Sequence, residues 1–167
     1  MLLCLGCISK VPYHISPSFY FHLCLHAVWP WFWVNFVHSF NSEHKTYADA
    51  QKTCETAALN GFKTGRLFEP KTQFLADKVY AKSKSIFKLI ANHHLVLAWI
   101  GIKEIGGSWV YASSGTEIAF KNWHHTHERR RPNYCVYSRL VYSTSSDKGK
   151  WGSLGCKTKM SFICEFV

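Results

Sequence analysis

Acidic residues are scarce in this chain and missing from its beginning. Ten occur in 167 residues, all from Glu43 onward, against twenty basic residues of which only Lys10 comes earlier. The region from Glu43 thus sets nineteen basic against ten acidic residues, a net of +9, and the first 42 residues carry +1. A surface of that sign draws polyanions. Sparse carboxylates also leave little for acid–base chemistry: Glu69, Asp77 and Glu104 show no spacing suited to a paired acid and base. There is no Gly-x-Ser-x-Gly, no His-Glu-x-x-His and no phosphate-binding loop. The chain therefore reads as a binding protein and not an enzyme. Nothing in it resembles a nucleic-acid-reading module, so no specific nucleic acid partner is expected. Asn-x-Ser/Thr sites, internal repeats, collagen-like triplets and heptads are also absent.

Residues 1–35 form a hydrophobic leader rich in aromatic side chains. Three readings fit it. A signal peptide wants a basic start, but Lys10 follows the apolar "MLLCLGCIS". A membrane anchor wants about 20 apolar residues, and Phe19 to Phe40 is interrupted by His22, His26, Pro30, Asn35 and His38, which are costly in lipid. The third reading is a wrongly assigned first exon. Membrane association is expected only if the segment is an anchor.

Cysteines divide in the same way. Cys4, Cys7 and Cys24 lie in the leader; Cys54, Cys135, Cys156 and Cys164 lie in the charged region. Four cysteines permit three pairings. None of the four has a Cys-x-x-Cys neighbour, which argues against a zinc ribbon and for a disulfide framework in an oxidising compartment. That places the protein outside the cell, secreted or on the extracellular face of the membrane.

Within residues 36–167 the elements are legible. Thr46 is a good N-cap with Asp49 three positions on. Ala50, Cys54, Ala57 and Ala58 follow a helical stripe that turns Cys54 inward, and Gly61 is the expected stop. A second helix is expected with Pro70 at its first position and with Leu75 and Val79 stacked four apart. "LVLAWIGI", "GSWVYASSGT", "NYCVYSRLVYS" and "KMSFICEFV" read as strands, the second alternating around Trp109 and Tyr111 and ending in a turn at Ser114-Gly115; Tyr134 and Tyr137 are expected to share a strand face. Trp123–Asn133 and Ser143–Lys150 are polar and irregular, as functional loops are. Two helices followed by short strands make an α+β layout.

Taken in order, the residues resemble the C-type lectin-like domain from Phe36 to Val167. The motifs are Cys54, Trp99-Ile100-Gly101, Trp109 and Tyr111 with Ser114-Gly115-Thr116, Asn122-Trp123, then Cys135, Cys156 and Cys164. The resemblance implies a C-type lectin-like fold, with two helices packed on small antiparallel sheets beside a long ligand-binding loop region. It implies disulfides Cys54–Cys164 and Cys135–Cys156, worth about 4 to 5 and about 3 kcal/mol in a chain-entropy account. Val37 and His38 stand where longer members carry another cysteine, so this resembles the short form.

The resemblance also implies Ca²⁺ as cofactor, bound by a Glu-Pro-Asn loop, a carboxylate two before the third cysteine, and Asn-Asp after the loop tryptophan. This chain departs from that set. Gly152 and Ser153 follow Trp151; Asn133 stands two before Cys135; the loop reads "HERRRPNYC", keeping Glu128 but displacing Pro132-Asn133. Arg129, Arg130 and Arg131 put three positive charges where the cation would sit. No cofactor and no metal are expected. The candidate ligand residues are Glu128, Arg129, Arg130, Arg131, Asn133 and Ser153, with glycans or glycoproteins as partners; the alternative is a calcium-independent module whose basic loop binds protein or sulfated and other anionic polymers, which guanidinium grips bidentately. The bland reading of the arginine run is a solvated loop. His124, His125 and His127 with Glu128 resemble a metal cluster but read better as a solvated histidine loop; His93 and His94 are expected to end a turn. Trp99, Trp109, Trp123 and Trp151 suggest a sugar-stacking platform, but core positions are expected, with Trp151 supporting the loop and Asn122-Trp123 structural.

Overall fold

The structure is a computed structural model, and it describes residues 37–57, 64–90, 95–141, 147 and 149–167. The leader 1–35, Ala58, Gly61, His93 and His94 lie outside these.

Strand β1 (Val37–Lys45) leads into helix α1 (Tyr47–Thr56). Thr46 caps α1: its Oγ1 accepts from the Asp49 amide at 3.3 Å and donates to the Asp49 carboxylate at 2.6 Å. Tyr47, Ala50 and Cys54 are its buried stripe. The helix ends before Gly61. Thr56 Oγ1 bonds back to the carbonyls of Lys52 and Thr53, and Ala57 turns extended. Strand β2 (Gly65–Leu67) precedes helix α2 (Gln73–Ile90). Thr72, not Pro70, opens α2, because the Thr72 hydroxyl accepts from the Leu75 amide at 3.2 Å and its carbonyl from Ala76 at 3.1 Å. Leu75 and Val79 do face the core together.

Five strands follow: β3 (Leu95–Ile105), β4 (Ser108–Tyr111), β5 (Tyr134–Val141), β6 (Trp151–Gly155) and β7 (Met160–Phe166). They join β1 and β2 in one sheet with the path β1-β7-β3-β5-β6, to which β2 adds at β7 and β4 at β3. Every pairing is antiparallel except β3 with β7, where Ala98 and Trp99 run parallel to Ser161 and Phe162. The fold is α+β, and the small sheets expected from the sequence are parts of a single mixed one.

The sheet carries a core on each face, which explains its unbroken apolar strands. Ala98, Ile100 and Ile102 of β3, with Val136, Leu140 and Ile163, pack toward Val79 of α2. Trp99, with Tyr137, Phe162, Cys164 and Phe166, packs toward Tyr47, Ala50 and Cys54 of α1. Tyr134 packs with the first group and Tyr137 with the second. They do not share a face, because three positions along a strand reverse the side-chain direction. Gly101 is needed for close approach: a Cβ there would lie 2.7 Å from the Glu69 side chain and from the Leu67 carbonyl.

Both disulfides form as expected. Cys54–Cys164 ties α1 to β7 across 110 positions. Cys135–Cys156 joins β5 to the turn after β6 across 21.

Candidate functional site

The loop between β4 and β5 lies along the outer edge of β6 and is zipped to it. Trp151 N–H donates to the Asn122 carbonyl at 2.8 Å, His124 N–H to Trp151 at 2.9 Å, and Ser153 N–H to His127 at 3.0 Å. Trp123 packs between Trp109 and Trp151 beneath this seam, tilted to the first at a centroid distance of 5.1 Å and edge-to-face with the second at 5.6 Å. Trp99, Trp109 and Trp151 are buried: Trp99 lies in the core beside α1, and Trp109, Trp123 and Trp151 are a floor for the loop and not a sugar platform. Asn122 is structural as well: its amide donates to the Gly149 carbonyl at 3.0 Å and its oxygen accepts from Lys150 at 2.8 Å.

Ser153 was expected at the ligand surface. It is only 3% exposed and faces the loop from below. Its Oγ accepts from the Arg129 amide at 2.8 Å and lies 2.9 Å from the Arg129 carbonyl and 3.2 Å from the His127 carbonyl, one of which takes its proton. The hydroxyl's proton and its accepted bond both go to the loop backbone, so Ser153 supports the loop. Gly152 has its own cause. It pairs with Tyr137 across β5 and β6, and a Cβ there would run into the Tyr137 hydroxyl and ring. A side chain at position 152 would force the Tyr137 ring to shift.

Glu128, Arg129, Arg130, Arg131 and Asn133 are all exposed. The Glu128 carboxylate accepts from the Trp109 indole at 3.2 Å and pairs with Arg130 at 3.5 Å. Arg130 also donates to the Gly107 carbonyl at 3.1 Å, tying the loop to the β3–β4 turn. Arg129 and Arg131 make no ion pair among the described residues. Asn133 adopts φ 62°, and its carbonyl accepts from the Cys156 amide at 2.9 Å, which closes the loop beside the disulfide.

These residues do not fit a calcium ion. The ion asks for six to eight oxygens, several of them charged. Position 152 offers no side chain, the Ser153 hydroxyl is engaged with the backbone, and guanidinium groups flank the one carboxylate.

The histidines differ from the expected solvated loop. His125 is exposed, but His124 is buried. Its Nδ1 accepts from the Thr126 amide at 3.3 Å, which leaves Nε2 to donate to Asp147 at 3.1 Å. His127 Nε2 lies 3.0 Å from Arg139, and since guanidinium only donates, that nitrogen accepts and the ring is neutral. Desolvation first, then the charge of Arg139, hold the His127 pKa below its ordinary value. Among the described residues no histidine, cysteine or carboxylate group has the arrangement of a metal site. The pairings His124–Asp147 and His127–Arg139 were not legible in the sequence, since their partners lie on elements that only the sheet brings together.

A second polar cluster lies at the far end of β7. Glu165 is buried and pairs with Arg66 at 2.6 Å. Burial raises the Glu165 pKa, and the Arg66 guanidinium opposes that shift. Buried Glu69 accepts from the Ser113 amide and hydroxyl, each at 2.8 Å, and so fastens the turn after β4 to the entry of α2. Both carboxylates are satisfied by protein partners and read as structural.

Residues 43–166 match the family described as the Lectin C-type domain. Human lithostathine-1-alpha is 27% identical over 139 residues, covering 79% of this chain and 72% of that protein. The crystal structure of human lithostathine superposes with a TM-score of 0.61 at 24% identity, covering 80% of this chain and 85% of that one. One chain of a snaclec from Echis carinatus, a coagulation factor IX/factor X-binding protein, is 25% identical over 128 residues, covering 74% of this chain and 86% of that one. The structure of SPL-1 in complex with GlcNAc superposes with a TM-score of 0.59 at 16% identity, covering 80% of this chain and 89% of that one. With its motifs in order, both disulfides formed and the fold shared, the chain belongs to the C-type lectin domain family.

Proposed function

We propose that this lectin-like binding module works outside the cell without calcium, and that its ligands are anionic glycans or glycoproteins held by the loop Glu128–Asn133. One observation carries the reading. Where a cation would bridge the loop to β6, the Ser153 hydroxyl makes that bridge directly, through the Arg129 amide and the carbonyls beneath it. The loop is thereby ordered without metal, and Arg129 and Arg131 remain free to pair with sulfate or carboxylate. The disulfides support an oxidising compartment, and among the described residues no helix is long and apolar enough to cross a membrane. Recognition, and not catalysis, is the role that a satisfied, closed loop floor supports.

A glycan array with and without chelator tests this. Binding to sulfated or sialylated glycans that chelator leaves intact, and that falls as salt rises, is the expected result. Binding to neutral sugars that chelator abolishes would overturn it.

A further inference from the structure

The basic loop does not stand alone. Its closing residue Asn133 accepts from the Cys156 amide at 2.9 Å, and the Cys156 carbonyl accepts from the Tyr47 amide, at the start of α1, at 3.0 Å. The turn Cys156–Lys159 therefore sits between the loop and α1, pinned by the Cys135–Cys156 disulfide and by a bond from the Thr158 amide to the Gly155 carbonyl at 2.9 Å. It carries Lys157 and Lys159, both exposed. Beyond it opens a shallow groove of about 450 Å³ whose lining includes His44, Lys45, Asp49, Lys52, Thr53 and Lys159. Lys45 is fixed in place by Thr53 at 3.0 Å and by Glu43 at 3.1 Å. The ion pairs among the described residues leave Lys52, Lys157 and Lys159 without a carboxylate partner.

We propose that the arginine loop and the lysine groove are two ends of one strip that binds a linear sulfated glycan chain, with the disulfide-anchored turn as its middle. The inference rests on the reading of the loop given above and extends it from a single anionic group to a polymer. Arg129 and Arg131 on the loop, Lys157 and Lys159 on the turn and Lys52 on α1 lie on elements joined by main-chain bonds, so little backbone ordering is needed on binding. The acidic groups on it are already engaged: Glu128 with Trp109 and Arg130, Glu43 with Lys45, and Asp49 with the Thr46 hydroxyl. A terminal sugar with one anionic group meets only one end; a chain with anionic groups at intervals meets both. Single-stranded nucleic acid is the poorer match. It binds through aromatic stacking as well as charge, and the strip exposes no tryptophan, tyrosine or phenylalanine ring, only the His44 imidazole, Trp109, Trp123 and Trp151 being beneath the loop.

The test uses the full chain with two variant sets, Arg129→Ala with Arg131→Ala, and Lys52→Ala with Lys157→Ala and Lys159→Ala. All five side chains are exposed, and Arg130 and Lys45 are kept because they hold backbone or neighbours. Unchanged thermal melting establishes that each set is folded. The probes are long heparin, heparin tetrasaccharide and poly(dT). For long heparin, each set is expected to weaken binding about tenfold or more at low salt and to reduce the slope of log K against log salt by about 2 to 3. The tetrasaccharide is expected to respond to one set far more than to the other. If the lysine set leaves long-heparin binding unchanged while the arginine set weakens it, the strip is refuted and the loop reading stands. If neither set matters, both fail. Poly(dT) binding as tightly as heparin with the same response to both sets would overturn the choice of a sulfated glycan.

Discussion

Replacing Ser153 with alanine removes the bridge on which metal-free order of the loop depends. The hydroxyl makes one donated and one accepted bond: it accepts from the Arg129 amide and donates to one of the two carbonyls beneath it. A typical intramolecular hydrogen bond contributes about 1 kcal/mol net, and a buried donor left unsatisfied costs about 1 to 3 kcal/mol. At a site only 3% exposed, water does not readily replace the lost partner. The expected loss is therefore about 2 to 3 kcal/mol, and it falls locally. Denaturant titration gives the global change, and hydrogen exchange at the Arg129 amide gives the local one; exchange there is expected to speed up about thirtyfold or more if the local loss is about 2 kcal/mol. The Ser153 main-chain bond to His127 survives the substitution, so β6 itself stays paired. A stability change below about 0.5 kcal/mol together with unchanged exchange at Arg129 would refute the assignment of Ser153 as the loop's fastening.

Installing the family's Asn-Asp pair by Gly152→Asn with Ser153→Asp is expected to cost about 3 to 6 kcal/mol, because the new Cβ meets Tyr137 and the Ser153 hydroxyl is lost, and to yield no calorimetric Ca²⁺ binding tighter than millimolar. Arg66→Gln leaves Glu165 buried without its cation, for an expected loss of about 3 to 5 kcal/mol at neutral pH by urea titration. Burial raises the Glu165 pKa, so the fold holds the proton more readily than the unfolded chain does; acidification should recover part of the loss, and stability should fall as pH rises through the folded pKa. His38 behaves oppositely: burial first, then the Lys82 charge, push its pKa down to about 4. The unfolded chain takes up the proton near pH 6.5 and the fold resists it, so stability should drop by up to about 3 kcal/mol between pH 6.5 and 4. His38→Met should flatten that limb in pH-dependent melting, and an unchanged limb would show that His38 is not its source.

What was legible in the sequence and what was not divides along one physical line. Motifs that act within a few residues could be read directly: the Thr46 cap, the inward Cys54, the strand at Trp99 and the turn at Gly115 each depend on local geometry. Elements whose cause is tertiary were misplaced or missed. Gly152 read as a forfeited calcium ligand, yet its neighbour across the strands is Tyr137, fifteen positions away, and the two compete for one space. Ser153 read as a weak surface ligand because its spacing after Trp151 matched that role. Its burial follows from the loop folding over the edge of β6, which no local pattern encodes. The same holds for β1, whose mixed residues "VHSFNSEHK" alternate poorly and become a strand only because β7 offers a free edge to pair with. The losses at positions 152 and 153 are thus not a bare deletion of a metal site. Tyr137 occupies the space left at one position, and a hydroxyl fastens the loop from the other. A loop fastened in that way keeps its shape while its outward side chains change. Three arginines can therefore face solvent together, where their mutual repulsion would otherwise push a floppy loop away from β6.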